Sequence, residues 1–96
     1  MGGIDMEHYP FLSFPNGLEI TYSDVKKRKN GTEYVTIYFE QPTKAKNGFK
    51  SAQFDYPGTG FSNVVGFTKT DMVKLDNHIL RAGQMAFDFS KEKTNA

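Results

Sequence analysis

Few residues of this chain have the side chains that catalysis or metal binding requires. There is no cysteine, which excludes disulfides, thiolate metal sites and a cysteine nucleophile. The two histidines, His8 and His78, are far apart in the sequence, and neither belongs to a His-x-x-x-His or Glu-x-x-His pair. We therefore expect no metal, no cofactor and no enzymatic activity.

Two further features could do chemistry, and each also has a structural explanation. By helical angle, Asp76 falls near the apolar side of a predicted helix, where burial would raise the pKa of a functional acid. The alternative is that Asp76 pairs with a nearby tyrosine hydroxyl or lysine. The segment Gly58-Thr59-Gly60 resembles part of a phosphate loop but lacks the Gly-Lys-Ser/Thr ending, so we interpret it as a hairpin turn.

The remaining candidate site combines tyrosines with basic residues. From Leu18 to Lys50 there are seven basic and four acidic residues, a net charge of 7 − 4 = +3. Nucleic-acid bases stack on aromatic rings while lysines bind phosphates, so this combination suits single-stranded nucleic acid. The alternative is an ordinary solvated sheet face. The candidate residues are Lys26, Lys27, Arg28, Lys29, Tyr34, Tyr38, Lys44, Lys46 and Lys50.

The strongest strand signal lies at Glu33–Glu40. There Val35, Ile37 and Phe39 alternate with polar or amphipathic residues, which predicts one buried and one wet face. Asn-Gly pairs, the commonest short hairpin turns, precede this run and two others. A fourth run contains Phe61, Val65 and Phe67, which we expect to point inward. The predicted strands are 18–23, 33–40, 49–56 and 61–67.

A helix is predicted to follow these strands. Thr68 and Asp71 have capping-box spacing, and Phe67 and Met72 have the spacing of a hydrophobic staple. Apolar residues then recur at helical spacing, so we expect a helix from about Lys69 to near Phe87. Gly83 lies on its apolar side with Ala82 and Ala86, where small residues would admit another backbone, either the sheet's own or a second subunit's.

These elements predict an α+β fold. We expect an antiparallel meander of four strands, possibly five if the proline-containing segment from His8 to Pro15 pairs, with the C-terminal helix packed across one face. The chain is short enough for a single domain, predicted at 8–90. Residues 1–7 are expected to form a flexible arm and residues 91–96 a frayed tail.

One stretch resembles the Whirly and transcriptional-coactivator family of single-stranded DNA binders. In Gly66-Phe67-Thr68-Lys69-Thr70-Asp71, followed by Leu75, a strand leads into a capped helix, as in that family. The order of four strands and one long helix is similar too. The resemblance implies a dimer that binds single-stranded DNA.

Composition favours a binding module over the other functional classes. The chain carries a formal net charge of only +1, less than a dedicated duplex-DNA binder would have. It has neither a recognisable signal peptide nor an apolar run long enough to span a membrane, so we expect a cytoplasmic protein. We expect a small non-enzymatic module that acts through a protein partner and can form a homodimer. Binding of single-stranded nucleic acid is the alternative.

Overall fold

The chain forms an antiparallel sheet with a C-terminal helix across one face. The computed structural model describes residues 8–44 and 48–95; the expected arm at 1–7 lies outside them. Strand order is β1-β2-β4-β5-β6, and the short β3 also pairs with β4. The predicted α+β class is therefore confirmed, and the N-terminal segment does supply a fifth strand. The elements are β1 (Tyr9–Ser13), β2 (Glu19–Tyr22), β3 (Lys26–Lys27), β4 (Glu33–Pro42), β5 (Phe49–Tyr56), β6 (Phe61–Val65) and α1 (Lys69–Asn95).

Side-chain alternation on β4 determines which face of the sheet is buried. Val35, Ile37 and Phe39 are buried beneath α1, whereas Tyr34 and Tyr38 lie half-buried on the opposite face, as predicted. We call these the inner and outer faces. Each buried aliphatic or phenyl side chain contributes about 1.5–3 kcal/mol relative to exposure. The rest of the core comprises Leu18, Ile20, Tyr22, Ala52, Phe54, Leu75, Ile79 and Ala86.

Hydrogen bonds of two serines join the segment between β2 and β3 to β4 and to α1. Ser23 donates its N–H to the Thr36 carbonyl (3.0 Å), and its Oγ accepts the Thr36 N–H (2.9 Å). The Ser90 hydroxyl of α1 donates to the Ser23 carbonyl at 2.7 Å. All three residues are buried, and an unsatisfied group there would cost about 1–3 kcal/mol. This segment is therefore hydrogen-bonded and tied directly to the helix.

The helix does not end near Phe87 as expected; it extends to Asn95. Ser90 in the added turns is buried. Two lysines of the same turns also contact the sheet: Lys91 Nζ lies 3.4 Å from Glu33 Oε1, and Lys93 Nζ lies 4.8 Å from the centre of the Tyr9 ring. Polar side chains thus hold the last turns on the sheet. Apolar spacing could not reveal this, because the partners are polar and distant in sequence.

The start of the helix matches the capping prediction. The Thr68 N–H donates to Asp71 Oδ2 at 2.9 Å, and the Asp71 N–H donates to Thr68 Oγ1 at 3.1 Å. Phe67 and Met72 both pack against the core, as a hydrophobic staple requires. Lys50 Nζ lies 3.8 Å from Asp71 Oδ2, so β5 also contacts the cap.

Both edge strands carry register shifts. In β1 the pairing with β2 shifts between Pro10 and Leu12. In β6 the pairing with β5 shifts around Asn63, which has a positive φ of 52°. The second shift explains a wrong prediction, because Val65 lies opposite Ser51 and is 57% exposed instead of pointing inward. Bulges and prolines interrupt the hydrogen-bonding ladder of an edge, so neither edge is well suited to adding another strand.

Gly83 admits an aromatic ring of the sheet. A Cβ built on Gly83 would lie 2.6 Å from both Cδ2 and Cε2 of Tyr56, closer than real contacts allow. The Tyr56 hydroxyl donates to Gln84 Oε1 at 3.2 Å, and its ring lies beside that of Phe87. A close approach therefore occurs at Gly83, but the Tyr56 ring of β5 makes it, and not a backbone as expected.

Replacing Gly83 with alanine should destabilise the protein, although alanine is the better helix former. The clash with Tyr56 should outweigh the propensity gain of roughly 1 kcal/mol and lower the unfolding free energy by about 1–3 kcal/mol. Urea denaturation of G83A measures this. In a Tyr56→Val background, where the ring is absent, the same substitution should stabilise. The exposed Asn77→Ala is the matched control for propensity, and stabilisation by G83A with Tyr56 present would contradict this account of Gly83.

Asp71 should make stability fall in acid. The hydrogen bond from the Thr68 N–H lowers the pKa of Asp71 below its ordinary 3.8, and Lys50 lowers it further. Because the folded-state pKa is the lower one, the stabilisation is complete above the unfolded-state pKa and is lost as the pH falls through the folded-state value. Asp71→Asn should flatten the pH dependence of unfolding free energy between about pH 5 and pH 2. A pH dependence unchanged by Asp71→Asn would refute the assignment.

Candidate binding surfaces

The outer face of the sheet carries the tyrosines of the predicted nucleic-acid site, but the Tyr34 ring is already covered. The guanidinium carbon of Arg28 lies 4.8 Å, and Lys26 Nζ 5.7 Å, from the centre of the ring. Arg28 also donates a hydrogen bond to the Pro57 carbonyl, so it joins the β3–β4 turn to the β5–β6 turn. Cation–π contacts of this kind contribute about 0.5–2 kcal/mol. Lys26 and Arg28 therefore stabilise the fold.

Lys26 is held by a second set of contacts on the outer face. It donates to Thr36 Oγ1 at 3.0 Å, and that hydroxyl donates to Asp55 Oδ1 at 2.8 Å. Thr36 is buried, so its hydroxyl is shielded while it bridges the two charges. Burial raises the pKa of the nearby Tyr38 hydroxyl, and the charge of Asp55 adds to the increase. The Tyr38 phenol is therefore neutral at physiological pH.

The Tyr38 ring is covered by His8. The two rings are stacked with centroids 3.6 Å apart and an interplanar angle of 13°. A cavity of about 280 Å³ opens beside this stack. Its lining consists of His8, Tyr38, Phe39, Glu40, Ser51, Ala52 and Gln53.

The other predicted basic residues do not converge on the tyrosines. Lys27, Lys29 and Lys44 are exposed. Lys50 belongs to the inner face, where it contacts Asp71 and lies 5.9 Å from the Phe67 ring centre; this differs from the expected rim of the outer face. Lys46 lies outside the described residues. The outer face therefore shows no continuous track of free cations within the described part of the chain.

Two carboxylates lie side by side on the outer face. Glu19 of β2 and Glu40 of β4 are direct Cα partners in the register, and both are exposed. Within residues 8–44 and 48–95, neither carboxylate has a lysine or arginine at ion-pair distance. Like charges directly opposite each other destabilise a strand pair. These two carboxylates would repel a phosphate backbone.

A second surface, which the sequence analysis did not propose, is an apolar flank of α1. Val73 and Leu80, one heptad apart, are 63% and 76% exposed. Phe87 continues the same side and packs on Tyr56, so this flank faces the β5 side of the molecule. The spacing was visible in the sequence, where these residues widen the apolar stripe. Only the structure shows that the sheet is too narrow to cover them. We call Val73 and Leu80 the apolar flank.

The candidate acid and the helical histidine have structural surroundings. Asp76 is exposed, not near the buried side as its helical angle suggested. His78 is half-buried against the Phe14 ring, with centroids 5.0 Å apart; burial lowers its pKa and Arg81 lowers it further. The described residues contain no group of three metal-ligating side chains and no helix with the length and apolarity needed to cross a membrane.

The structural role of Arg28 can be tested against its exposed neighbour. Arg28→Ala should lower the unfolding free energy by about 1–2 kcal/mol, because it removes the Tyr34 and Pro57 contacts. Lys29→Ala, the control, should stay within about 0.5 kcal/mol of wild type. Arg28→Lys should recover only part of the loss, because an ammonium cannot reproduce a stacked guanidinium. Equal stabilities of Arg28→Ala and Lys29→Ala, measured by chemical denaturation, would show that Arg28 is free.

Comparison with known proteins gives no independent guide to these surfaces. No family model, no curated protein and no solved structure matches the chain significantly.

Proposed function

We propose that this chain is a non-enzymatic binding module that acts through a protein partner, and that the partner docks on the apolar flank of α1. The observation that carries the proposal is the exposure of Val73 and Leu80 on one side of a helix whose opposite side is buried in the core. Contiguous exposed apolar surface on a folded domain commonly marks a contact site. An amphipathic partner element would bury these two side chains and gain the hydrophobic free energy of their burial, which the sheet does not provide.

Neighbouring structure supports docking at this flank. Val64 on the edge strand β6, which leads into α1, is exposed as well, whereas Val65 lies opposite Ser51 and belongs to the outer face. The bulge at Asn63 interrupts the β6 ladder. A partner is therefore expected to bind through side chains, since strand addition would need an unbroken edge.

The alternative, binding of single-stranded nucleic acid, has less support from the same geometry. Base stacking needs accessible ring faces, but Arg28 and Lys26 lie over Tyr34 and His8 lies on Tyr38. The cations that would hold phosphates are separated, and Glu40 borders Tyr38 in the cavity lining. A nucleic acid would have to displace several contacts of the folded chain before it could bind.

A charge placed on the flank should abolish partner binding without unfolding the protein. Leu80→Glu replaces an exposed side chain, so the unfolding free energy should change by at most about 0.5 kcal/mol. Proteins cross-linked to wild type in its native cells should be absent from Leu80→Glu. The control Met85→Glu makes the same charge change at an exposed apolar position on the other flank of α1 and should retain them.

Two results would count against the proposal. The first is an unchanged set of cross-linked proteins in a Val73→Glu/Leu80→Glu double variant. The second is salt-sensitive, micromolar binding of a labelled single-stranded oligonucleotide that is lost in Lys27→Glu/Lys29→Glu, a pair chosen because it leaves the Arg28 contacts intact. That second outcome would identify nucleic acid as the ligand.

A further inference from the structure

We infer that the cavity on the outer face is a binding site for a cationic side chain, specifically the guanidinium group of an arginine in a peptide. The site is separate from the apolar flank, because it lies on the opposite face of the sheet from α1. Four observations support it: its size, its aromatic wall, a carboxylate without an ion pair among the described residues, and its polar lining.

The volume of the cavity limits the class of ligand. At about 280 Å³ it lies just below the range of roughly 300–1,000 Å³ that small-molecule and cofactor sites occupy. It opens between the His8–Tyr38 stack and the neighbouring strand β5, which contributes Ser51 and Gln53 to the lining. A single side chain inserted from a peptide fits this scale, whereas a dinucleotide or a flavin would not.

Two stacked aromatic rings form one wall of the cavity. His8 stacks on Tyr38 at 3.6 Å and nearly parallel, and both residues belong to the lining. Guanidinium is planar, delocalised and weakly hydrated, and it packs against aromatic rings more readily than an ammonium does. An arginine can therefore use the His8–Tyr38 stack as its apolar wall.

The charge of the site favours a cation. Glu40 lines the cavity, and Glu19 lies directly opposite it on β2. Among the described residues, no lysine or arginine lies at ion-pair distance from Glu40. Lys26, Arg28 and Lys50 have partners elsewhere. A bound guanidinium would neutralise Glu40 through charge-assisted hydrogen bonds and remove the repulsion between the two glutamates.

Neutral groups of the lining complete the recognition. Gln53 Oε1 accepts a hydrogen bond from Asn63 Nδ2, which orients the side-chain amide. The Ser51 hydroxyl has acceptor lone pairs next to Glu40, to which it is paired in the β4–β5 register. Guanidinium has five N–H donors, so it can satisfy a carboxylate and a hydroxyl together. A phosphate or carboxylate ligand would instead be repelled by Glu40.

Nuclear magnetic resonance titration of the full chain tests this inference. The probe is the peptide Gly-Ser-Arg-Ser-Gly, and the reference is the same peptide with citrulline, which is planar but uncharged. We expect saturable shifts of the Tyr38, Glu40, Ser51 and Gln53 amides with the arginine peptide. Binding should weaken about tenfold with citrulline or in Glu40→Gln, because a charge-assisted hydrogen bond is lost. The control Asp76→Asn removes an exposed carboxylate from the helix and should bind like wild type.

Several outcomes would overturn the assignment. Equal affinity for arginine and citrulline peptides would mean that charge is not recognised, and shifts spread over all exposed carboxylates would indicate nonspecific ion binding. Shifts of the same amides by free nucleosides, undiminished in Glu40→Gln, would identify a base-stacking site instead. If the folded protein showed no saturable shift with the arginine peptide, the cavity would not be a binding site. Since none of these variants alters Val73 or Leu80, failure here is distinguishable from failure of the docking proposal.

Discussion

The constraint on which the rest of this structure depends is that α1 must seal the inner face of the sheet. A six-stranded sheet with one apolar face is not stable in water, and a single helix has to cover β2, β4 and β5. Close approach is possible because Gly83 lets the Tyr56 ring lie against the helix backbone. The helix is then fixed at both ends, by the Thr68–Asp71 cap at its start and by Ser90 near its end.

This packing of α1 on the sheet also determines which surfaces remain accessible to a ligand. The apolar stripe of α1 is wider than the part of the helix that packs on the sheet, so one flank of α1 carries exposed apolar residues, of which Leu80 is the most exposed. The outer face has no helix, and the chain covers it with its own side chains. Lys26, Arg28 and His8 each lie on a tyrosine or bridge polar groups there. Recognition at that face must therefore use the space left between these contacts.

Sequence periodicity was sufficient for the parts of the structure governed by local rules. The alternation in β4, the capping box at Thr68 and the strand over Phe49–Tyr56 were all predictable, because each depends on residues close together in the chain. Predictions failed where a distant contact decided the outcome. The last turns of α1 depend on Ser23 and Glu33, and the outward position of Val65 depends on a bulge that alternation cannot show.

The candidate sites, too, were predictable only where they depend on residues close together in the chain. The sequence identified tyrosines and basic residues on one strand face and its loops, but composition cannot tell a free lysine from one held by Thr36. It also could not show that Glu19 and Glu40 would become cross-strand neighbours, since that depends on the register of β2 against β4. A like-charged pair opposes strand pairing, and among the described residues no cation lies at ion-pair distance from either glutamate. Such local conflicts concentrate at functional sites, because there a residue is retained for what it binds as well as for what it stabilises.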